Sequence, residues 1–278
     1  MKPGPDAMDA RTYLFVPGNR PERFAKALAS GADAVVLDLE DAVAAEAKGT
    51  ARDAIAQWAA SAGDAERARI VVRCNDAGSA HFEDDLRLLR EARLPAVMLP
   101  KAEAADTVRA VHAAAPQVAM LPLIETARGL AACDHVAAAT GVVRLVFGTL
   151  DFALDLDLDI ADDNAPLAEA AAGLVLASRL AERLAPVAGV TPQIDDEARL
   201  LADLAWARRR GFGAKLCIHP KQVAPIHGAL QPDAAALAWA RRVIEAEAAS
   251  PGAAKLDGRM VDRPVVLQAQ RTLRRAGH

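Results

Sequence analysis

What most narrows the folds open to this chain is an alternation repeated eight times, in which a short apolar run is followed by a longer alanine-rich segment with helical spacing. The runs are Thr12–Pro17, Ala34–Leu39, Ile70–Asn75, Ala96–Pro100, Val118–Ile124, Val143–Gly148, Val187–Thr191 and Ala214–His219. Helical spacing occupies Pro21–Ser30, Glu46–Ala60, His81–Ala92, Ala104–Ala115, Thr126–Ala138, Pro166–Leu184, Asp195–Arg210 and Asp233–Ala248. Strands joined through helices lie parallel, and parallel strands covered on both faces read as unbroken hydrophobic runs. Two architectures satisfy this pattern, an open doubly wound sheet and a (β/α)8 TIM barrel. Eight cycles in 278 residues favour the barrel, whose usual length is about 250 residues. The seventh run is the weakest, because Val187-Ala188-Gly189-Val190 is short enough to be loop.

Composition points away from several function classes. Apolar residues make up 53% but aromatics only 4%, so alanine dominates, which suits tightly packed helices more than an aromatic binding surface. A net charge of −4 is mild and has the wrong sign for a nucleic-acid partner. Cys74, Cys133 and Cys217 are far apart and lack paired ligand spacing, so neither a zinc site nor a disulfide framework is indicated, and a cytoplasmic location is expected. No apolar stretch approaches the ~20 residues that span a bilayer, and no membrane partner is expected. Met1 to Arg11 carries Pro, Gly and Asp where a secretory signal needs an apolar stretch; residues 1–11 are read as a flexible tail before a barrel domain over 12–249.

A parallel barrel carries its active site at the C-terminal ends of its strands, so the residues after each run are the ones to weigh. They are Pro17-Gly18-Asn19-Arg20, Asp38-Leu39-Glu40-Asp41, Arg73-Cys74-Asn75-Asp76, Lys101, Glu125, Asp151 and His219-Pro220-Lys221. Any one alone is ordinary helix capping or surface charge, but together they make one polar rim. Glu125 and Asp151 each close an apolar run, and two carboxylates aimed out of neighbouring buried strands form a hard oxygen seat for a divalent cation such as Mg²⁺. Asp38 and Glu40, two apart, share one face of an extended strand, with Asp41 turned elsewhere or opening the loop. Such an acidic group needs a cation, so Glu40 and Asp41 either stand behind the metal's ligands or pair with Arg73. Arg73 itself ends the apolar run Ile70-Val71-Val72. Its planar fork suits the carboxylate of a small organic acid, and an internal ion pair with Asp38 or Glu40 is the competing reading. Lys101 is placed to neutralise part of the acidic rim, and His219 to orient a loop rather than to act as a base.

These motifs resemble the citrate lyase β-subunit-like acyl-CoA lyases of the HpcH/HpaI aldolase group, over nearly the whole chain. The resemblance is carried by Leu14-Phe15-Val16-Pro17-Gly18-Asn19-Arg20, Leu37-Asp38-Leu39-Glu40-Asp41-Ala42-Val43, Val72-Arg73-Cys74-Asn75, Met98-Leu99-Pro100-Lys101, Leu123-Ile124-Glu125-Thr126, Phe147-Gly148-Thr149-Leu150-Asp151-Phe152 and Cys217-Ile218-His219-Pro220. It implies a (β/α)8 barrel that binds Mg²⁺ through Glu125 and Asp151, a 2-oxo or 2-hydroxy acid through Arg73, and a coenzyme A thioester near Gly18 and Arg20. A further match, Leu256-Asp257-Gly258-Arg259-Met260-Val261-Asp262-Arg263-Pro264, precedes an apparent helix Val265–Leu273. In lyases of this kind a similar segment forms a lid, often over the neighbouring subunit's site, and its aspartate serves as acid and base. The resemblance therefore implies a C-terminal lid over residues 250–278, a catalytic role for Asp262, and a homo-oligomer, trimer or hexamer. On chemistry alone Asp262 is equally a turn residue before a terminal helix.

The implied reaction is cleavage or formation of the carbon–carbon bond of a short 3-hydroxyacyl-CoA, such as a malyl, methylmalyl, citramalyl or citryl thioester. The products of cleavage would be acetyl- or acyl-CoA and a 2-oxo acid. Three alternatives stay open: a Mg²⁺ aldolase on free pyruvate-type acids, a malate synthase-like thioesterase or condensing enzyme, and a non-catalytic CoA-binding subunit of a lyase complex.

Overall fold

Each of the eight apolar runs contributes a strand, and the eight parallel strands close into a barrel in sequence order, so the barrel rather than the open sheet is the fold. The computed structural model describes residues 7–250, 252 and 255–277. In chain order the barrel elements are β1 (Thr12–Pro17), α1 (Phe24–Ala29), β2 (Ala34–Asp38), α2 (Lys48–Ser61), α3 (Asp64–Arg67), β3 (Ile70–Arg73), α4 (Phe82–Glu91), β4 (Ala96–Leu99), α5 (Ala105–Ala114), β5 (Ala119–Ile124), α6 (Ala127–Ala138), β6 (Arg144–Phe147), α7 (Thr149–Asp155), α8 (Ala168–Leu180), β7 (Leu184–Ala188), α9 (Glu197–Arg209), β8 (Ala214–Cys217) and α10 (Val223–Leu230). Closure is made where Tyr13 of β1 pairs with Leu216 of β8 on one side and with Ala34 of β2 on the other.

Side chains on a strand alternate between faces, and here one set fills the barrel interior: Tyr13, Ala34, Val36, Val71, Leu121, Leu123, Val146 and Leu216 belong to one buried cluster, with Phe15 and Val190 packed against it. Carrying the period of two to the strand ends places Asp38, Arg73 and Glu125 on that same inward face, which is how the fold collects its charges at one mouth.

The structure departs from the sequence expectations at several places. Strand β7 lies at Leu184–Ala188, three residues before the expected Val187–Thr191, because it leaves α8 almost directly: Leu184 N donates to Val143 O at 3.1 Å. Asp151 does not end a strand; it sits in the first turn of α7, a helix that the apolar run Leu145–Leu150 concealed. The expected helix Asp233–Ala248 is present at Ala234–Ala249, but a helix outside the expected set, α10, precedes it directly after β8, masked in the sequence by Pro225 and Gly228. Of the expected tail, residues 1–6 lie outside the described residues, while Ala7 and Ala10 are buried: Ala7 N donates to Ala68 O and its carbonyl accepts from Tyr13 Oη at 2.8 Å.

The chain divides into two compact units, Met1–Ile226 and His227–His278, so the second begins well before the expected boundary at 250. In that unit α11 (Ala234–Ala249) and α12 (Arg263–Arg275) pack through Ala240, Val243, Val261 and Ala269. Between them β9 (Lys255–Leu256) and β10 (Arg259–Met260) form a hairpin over Asp257-Gly258, both with positive φ (49° and 77°), as a two-residue type I′ turn requires. Among the described residues no helix is long and apolar enough to cross a membrane.

At the other end of the barrel the buried Arg144 guanidinium donates to Ala185 O (2.7 Å), Ala10 O (2.7 Å) and Tyr13 Oη (3.2 Å), tying the N-terminal segment to β7. Truncating it strands two carbonyls and leaves a hole, so Arg144→Ala should lower unfolding free energy by about 3 kcal/mol in a denaturant titration. A loss below about 1 kcal/mol would show that this end relaxes freely.

Candidate active site

The β2–β3 register sets Asp38 directly opposite Arg73. The pair closes as a two-pronged ion pair, Arg73 Nε to Asp38 Oδ1 at 2.8 Å and Nη2 to Oδ2 at 2.6 Å, and Phe15 lies under the guanidinium at 5.1 Å. Two further carboxylates come from the turn after β2. Asp41 Oδ2 accepts from Nη1 at 3.1 Å, and Glu40 Oε2 lies 2.9 Å from Nη1 as an ion contact without hydrogen-bond geometry. Asp41 therefore reaches the same cation as Asp38 and is not turned away. Burial alone would lower the pKa of Arg73, but the three carboxylates outweigh it and raise it. Of the two readings of Arg73, the internal ion pair is the one this structure holds; of its three carboxylate partners, Asp41, with its side chain 67% exposed, is the one open to solvent.

Glu125 follows Ile124, which pairs with Phe147, so its side chain enters the barrel mouth beside Gly148. A Cβ at Gly148 would lie 2.5 Å from Glu125 Cβ and 2.7 Å from Oε2, so only glycine leaves room for this carboxylate. Its Oε1 accepts the Lys101 backbone N–H at 2.8 Å, and Lys101 takes a left-handed φ of 45°, an unfavourable conformation for a lysine that aims that N–H inward. The Lys101 ammonium turns to Glu40 Oε1 at 3.5 Å. Glu125 is 3% exposed and forms no ion pair within 4 Å among the described residues. Burial raises its pKa to about 8, the Lys101 N–H opposes this, and the charges of Glu40 and Asp151 add to the rise. Burial likewise carries Glu40 to about 7 against the pull of Arg73.

Glu125, Asp151, Asp38, Asp41 and Arg73 line one cleft of about 420 Å³, over a floor of Phe15, Leu123, Val190 and Leu216. The donor set fits a small hard cation: two carboxylates, one buried without a neutralising partner, facing open space. Mg²⁺ typically takes one or two carboxylates and completes its shell with water and substrate oxygens. Among the described residues no group of three His, Cys, Asp or Glu is arranged to hold a metal.

Gly18, Arg20 and His219 are not among the residues that line this cleft. Gly18 packs against β2, where its N–H donates to Asp38 O at 2.7 Å and a Cβ would lie 2.8 Å from that oxygen. Arg20 pairs with Glu22 at 2.7 Å, both well exposed. His219 Nδ1 accepts from Lys221 N at 3.2 Å, a local cap. Asp262, in the second unit, is exposed and caps α12 by accepting from Val265 N at 3.2 Å. The sequence reading missed Lys48, a buried lysine whose ammonium donates to Leu39 O (2.8 Å), Glu40 O (3.0 Å) and Asn75 Oδ1, fixing the turn that carries Glu40. Asn75 is held in turn by Asp85, which accepts from its N and Nδ2, each at 2.7 Å. A lysine at the start of an alanine-rich helix looks solvated in sequence, so only the fold reveals it.

A (β/α)8 barrel whose C-terminal mouth presents a charged, metal-type oxygen site is the class that fold and site define. Residues 11–220 match the model of the HpcH/HpaI aldolase/citrate lyase family, and the chain belongs to that family, a group of lyase-type enzymes. A citrate lyase subunit beta-like protein of Mycobacterium tuberculosis is 39% identical over 274 residues, 95% of each chain. A (3S)-malyl-CoA thioesterase of Cereibacter sphaeroides is 33% identical over 270 residues, 96% of this chain and 94% of that one. The crystal structure of CitE from Mycobacterium tuberculosis in complex with magnesium, acetoacetate and coenzyme A has a TM-score of 0.86 and 37% identity, covering 97% of this chain and 99% of that one. A citrate lyase beta subunit from the same organism, complexed with oxaloacetate and magnesium, has a TM-score of 0.72 and 35% identity over 81% of this chain and 99% of its own.

The Gly148 contact yields a prediction. Gly148→Ala should displace Glu125 and weaken Mg²⁺ binding at least tenfold by isothermal titration calorimetry. Gly49→Ala, whose Cβ meets nothing within 4 Å, should leave that affinity unchanged. Equal effects would mean that Glu125 is not confined by Gly148.

Proposed function

We propose that this chain is a Mg²⁺-dependent carbon–carbon lyase that cleaves or forms the bond between the two halves of a short 3-hydroxyacyl-CoA. The observation that carries the proposal is Glu125, a buried carboxylate that forms no ion pair among the described residues and lines the same cleft as Asp151 and Arg73. The relatives held with magnesium, coenzyme A and short oxo acids support it.

Glu125 and Asp151 would hold the ion, which when bound supplies Lewis-acid stabilisation of charge on the acid's oxygens. Arg73, locked on Asp38 through two of its N–H groups, would offer its remaining hydrogens to the acid's carboxylate, displacing the exposed Asp41. Asp262 would protonate the thioester's α-carbon in cleavage, or remove that proton in condensation, acting in its own or a neighbouring subunit. The segment of Gly18 and Arg20 would take the nucleotide end of coenzyme A, with Arg20 exchanging Glu22 for a phosphate. We include a homo-oligomer in the proposal: Leu176 and Leu180, one turn apart on α8, are 59% and 70% exposed.

The cleft also favours one end of the substrate series. Its lining sets four carboxylates against one guanidinium, and its floor is apolar. A product acid with a single carboxylate, such as glyoxylate or pyruvate, leaves only hydrogen or a methyl group against that floor. Oxaloacetate would bring a second negative charge that no lining cation is free to meet. A citrate lyase beta subunit of Mycobacterium tuberculosis is complexed with oxaloacetate, so the proposed distinction is one of preference.

Incubating the purified chain with Mg²⁺ and malyl-, methylmalyl-, citramalyl- and citryl-CoA should release a 2-oxo acid and an acyl-CoA, with kcat/KM for citryl-CoA at least tenfold below the best of the others. Release of free CoA would identify a thioesterase, and turnover only with free acids an aldolase. Asp262→Asn should lower kcat at least a hundredfold with Mg²⁺ affinity intact, whereas Glu125→Gln should weaken Mg²⁺ binding itself; the reverse pattern would exchange their roles.

A further inference from the structure

Lys215 on β8 points away from the barrel interior and is buried, an unusual place for an ammonium. Burial pulls its pKa down to about 8, against the opposing influence of Asp203. The β7–β8 register ends with Ala188 opposite Lys215, so the Gly189 carbonyl lies one residue past the ladder. Lys215 Nζ donates to that carbonyl at 2.8 Å. Thr191, two residues on, is held at both its side chain and its carbonyl. Thr191 Oγ1 donates to Asp203 Oδ2 at 2.7 Å, Gln222 Nε2 donates to Thr191 O at 2.8 Å, and all of these side chains are buried. A segment of three residues is thus fixed by buried polar groups from α9, β8 and the turn before α10, each costly to desolvate unless its bond is kept.

That segment touches the candidate active site twice. Val190 lines the cleft, and a Cβ at Gly189 would collide with the Thr149 hydroxyl and lie 2.7 Å from its Cγ2. Thr149 opens α7, the helix whose first turn carries Asp151. We propose that Lys215 is a positioning residue: by holding the Gly189 carbonyl it sets the wall against which Thr149 seats, and so fixes the turn that presents Asp151 to the cleft. The inference rests on the reading of Asp151 as a metal ligand.

Lys215→Met removes the ammonium with little change of volume. In the full-length variant, Mg²⁺ affinity by calorimetry at 25 °C should fall at least tenfold, and hydrogen exchange should rise both at 189–191 and at 149–155. Lys215→Gln, which keeps an N–H donor, should recover most of both. Gly189→Ala, which strikes Thr149 without touching Lys215, should weaken Mg²⁺ to a similar degree and stands in should Lys215→Met fail to fold. A lower melting temperature with unchanged Mg²⁺ affinity and unchanged exchange at 149–155 would overturn the proposal, leaving Lys215 a stability element. If the unmodified chain does not bind Mg²⁺, the ligand reading fails instead. The exchange at 149–155 then decides alone whether Lys215 orders α7.

Discussion

A carboxylate sealed into a barrel mouth and, among the described residues, held in no ion pair is the constraint around which this molecule is organised. Ionised Glu125 is costly in its buried setting, and the structure shows how closely its surroundings are fitted to it. Gly148 gives up a side chain to admit it, and Lys101 adopts a left-handed backbone to direct an N–H at it. Asp151 adds further negative charge instead of relief. Such an arrangement is poorly explained as a device for stability, because the burial of Glu125, the left-handed Lys101 and the nearby charge of Asp151 all cost the isolated chain, and only the Lys101 N–H offsets part of that cost. It is well explained if a hard divalent cation belongs between the two carboxylates.

Arg73 shows the complementary solution within the same mouth. There the charge is native to the chain and is met in full, by Asp38 across the ladder and by Glu40 and Asp41 from the following turn. The contrast separates two kinds of acidic residue that look alike in sequence: those that balance a guanidinium and those left to balance something else. It also qualifies the proposed role of Arg73, whose donors are mostly engaged: an acid bound there would compete with Asp41, the most exposed partner, and leave the Asp38 bond in place.

Much of this was legible in the sequence because the barrel repeats one physical rule eight times. Strands covered on both faces must be apolar throughout, and the abrupt end of each run marked the mouth, which is how Arg73, Glu125 and the Asp38–Asp41 turn were found. Asp151 was found for a partly mistaken reason: the apolar run before it mixes a strand and the start of a helix, and hydrophobicity alone does not divide them. What stayed hidden depends on contacts between distant segments. Lys48 and Lys215 look like solvated lysines until the fold sets carbonyls against them, and α10 is obscured by Pro225 and Gly228. Asp262 belongs to the C-terminal unit, where its exposed capping geometry says nothing of acid–base chemistry, and its proposed role rests on family resemblance.

The central claim is that Glu125 and Asp151 share one divalent ion, and anomalous diffraction from crystals soaked in Mn²⁺ tests it most directly. The account predicts a single strong peak between the two side chains, with a carboxylate oxygen of each at about 2.1–2.2 Å, near the distance expected for hard octahedral ions. A map with no peak there, or with manganese bound only among the exposed Asp157, Asp159, Asp162 and Asp163 that follow α7, would contradict it.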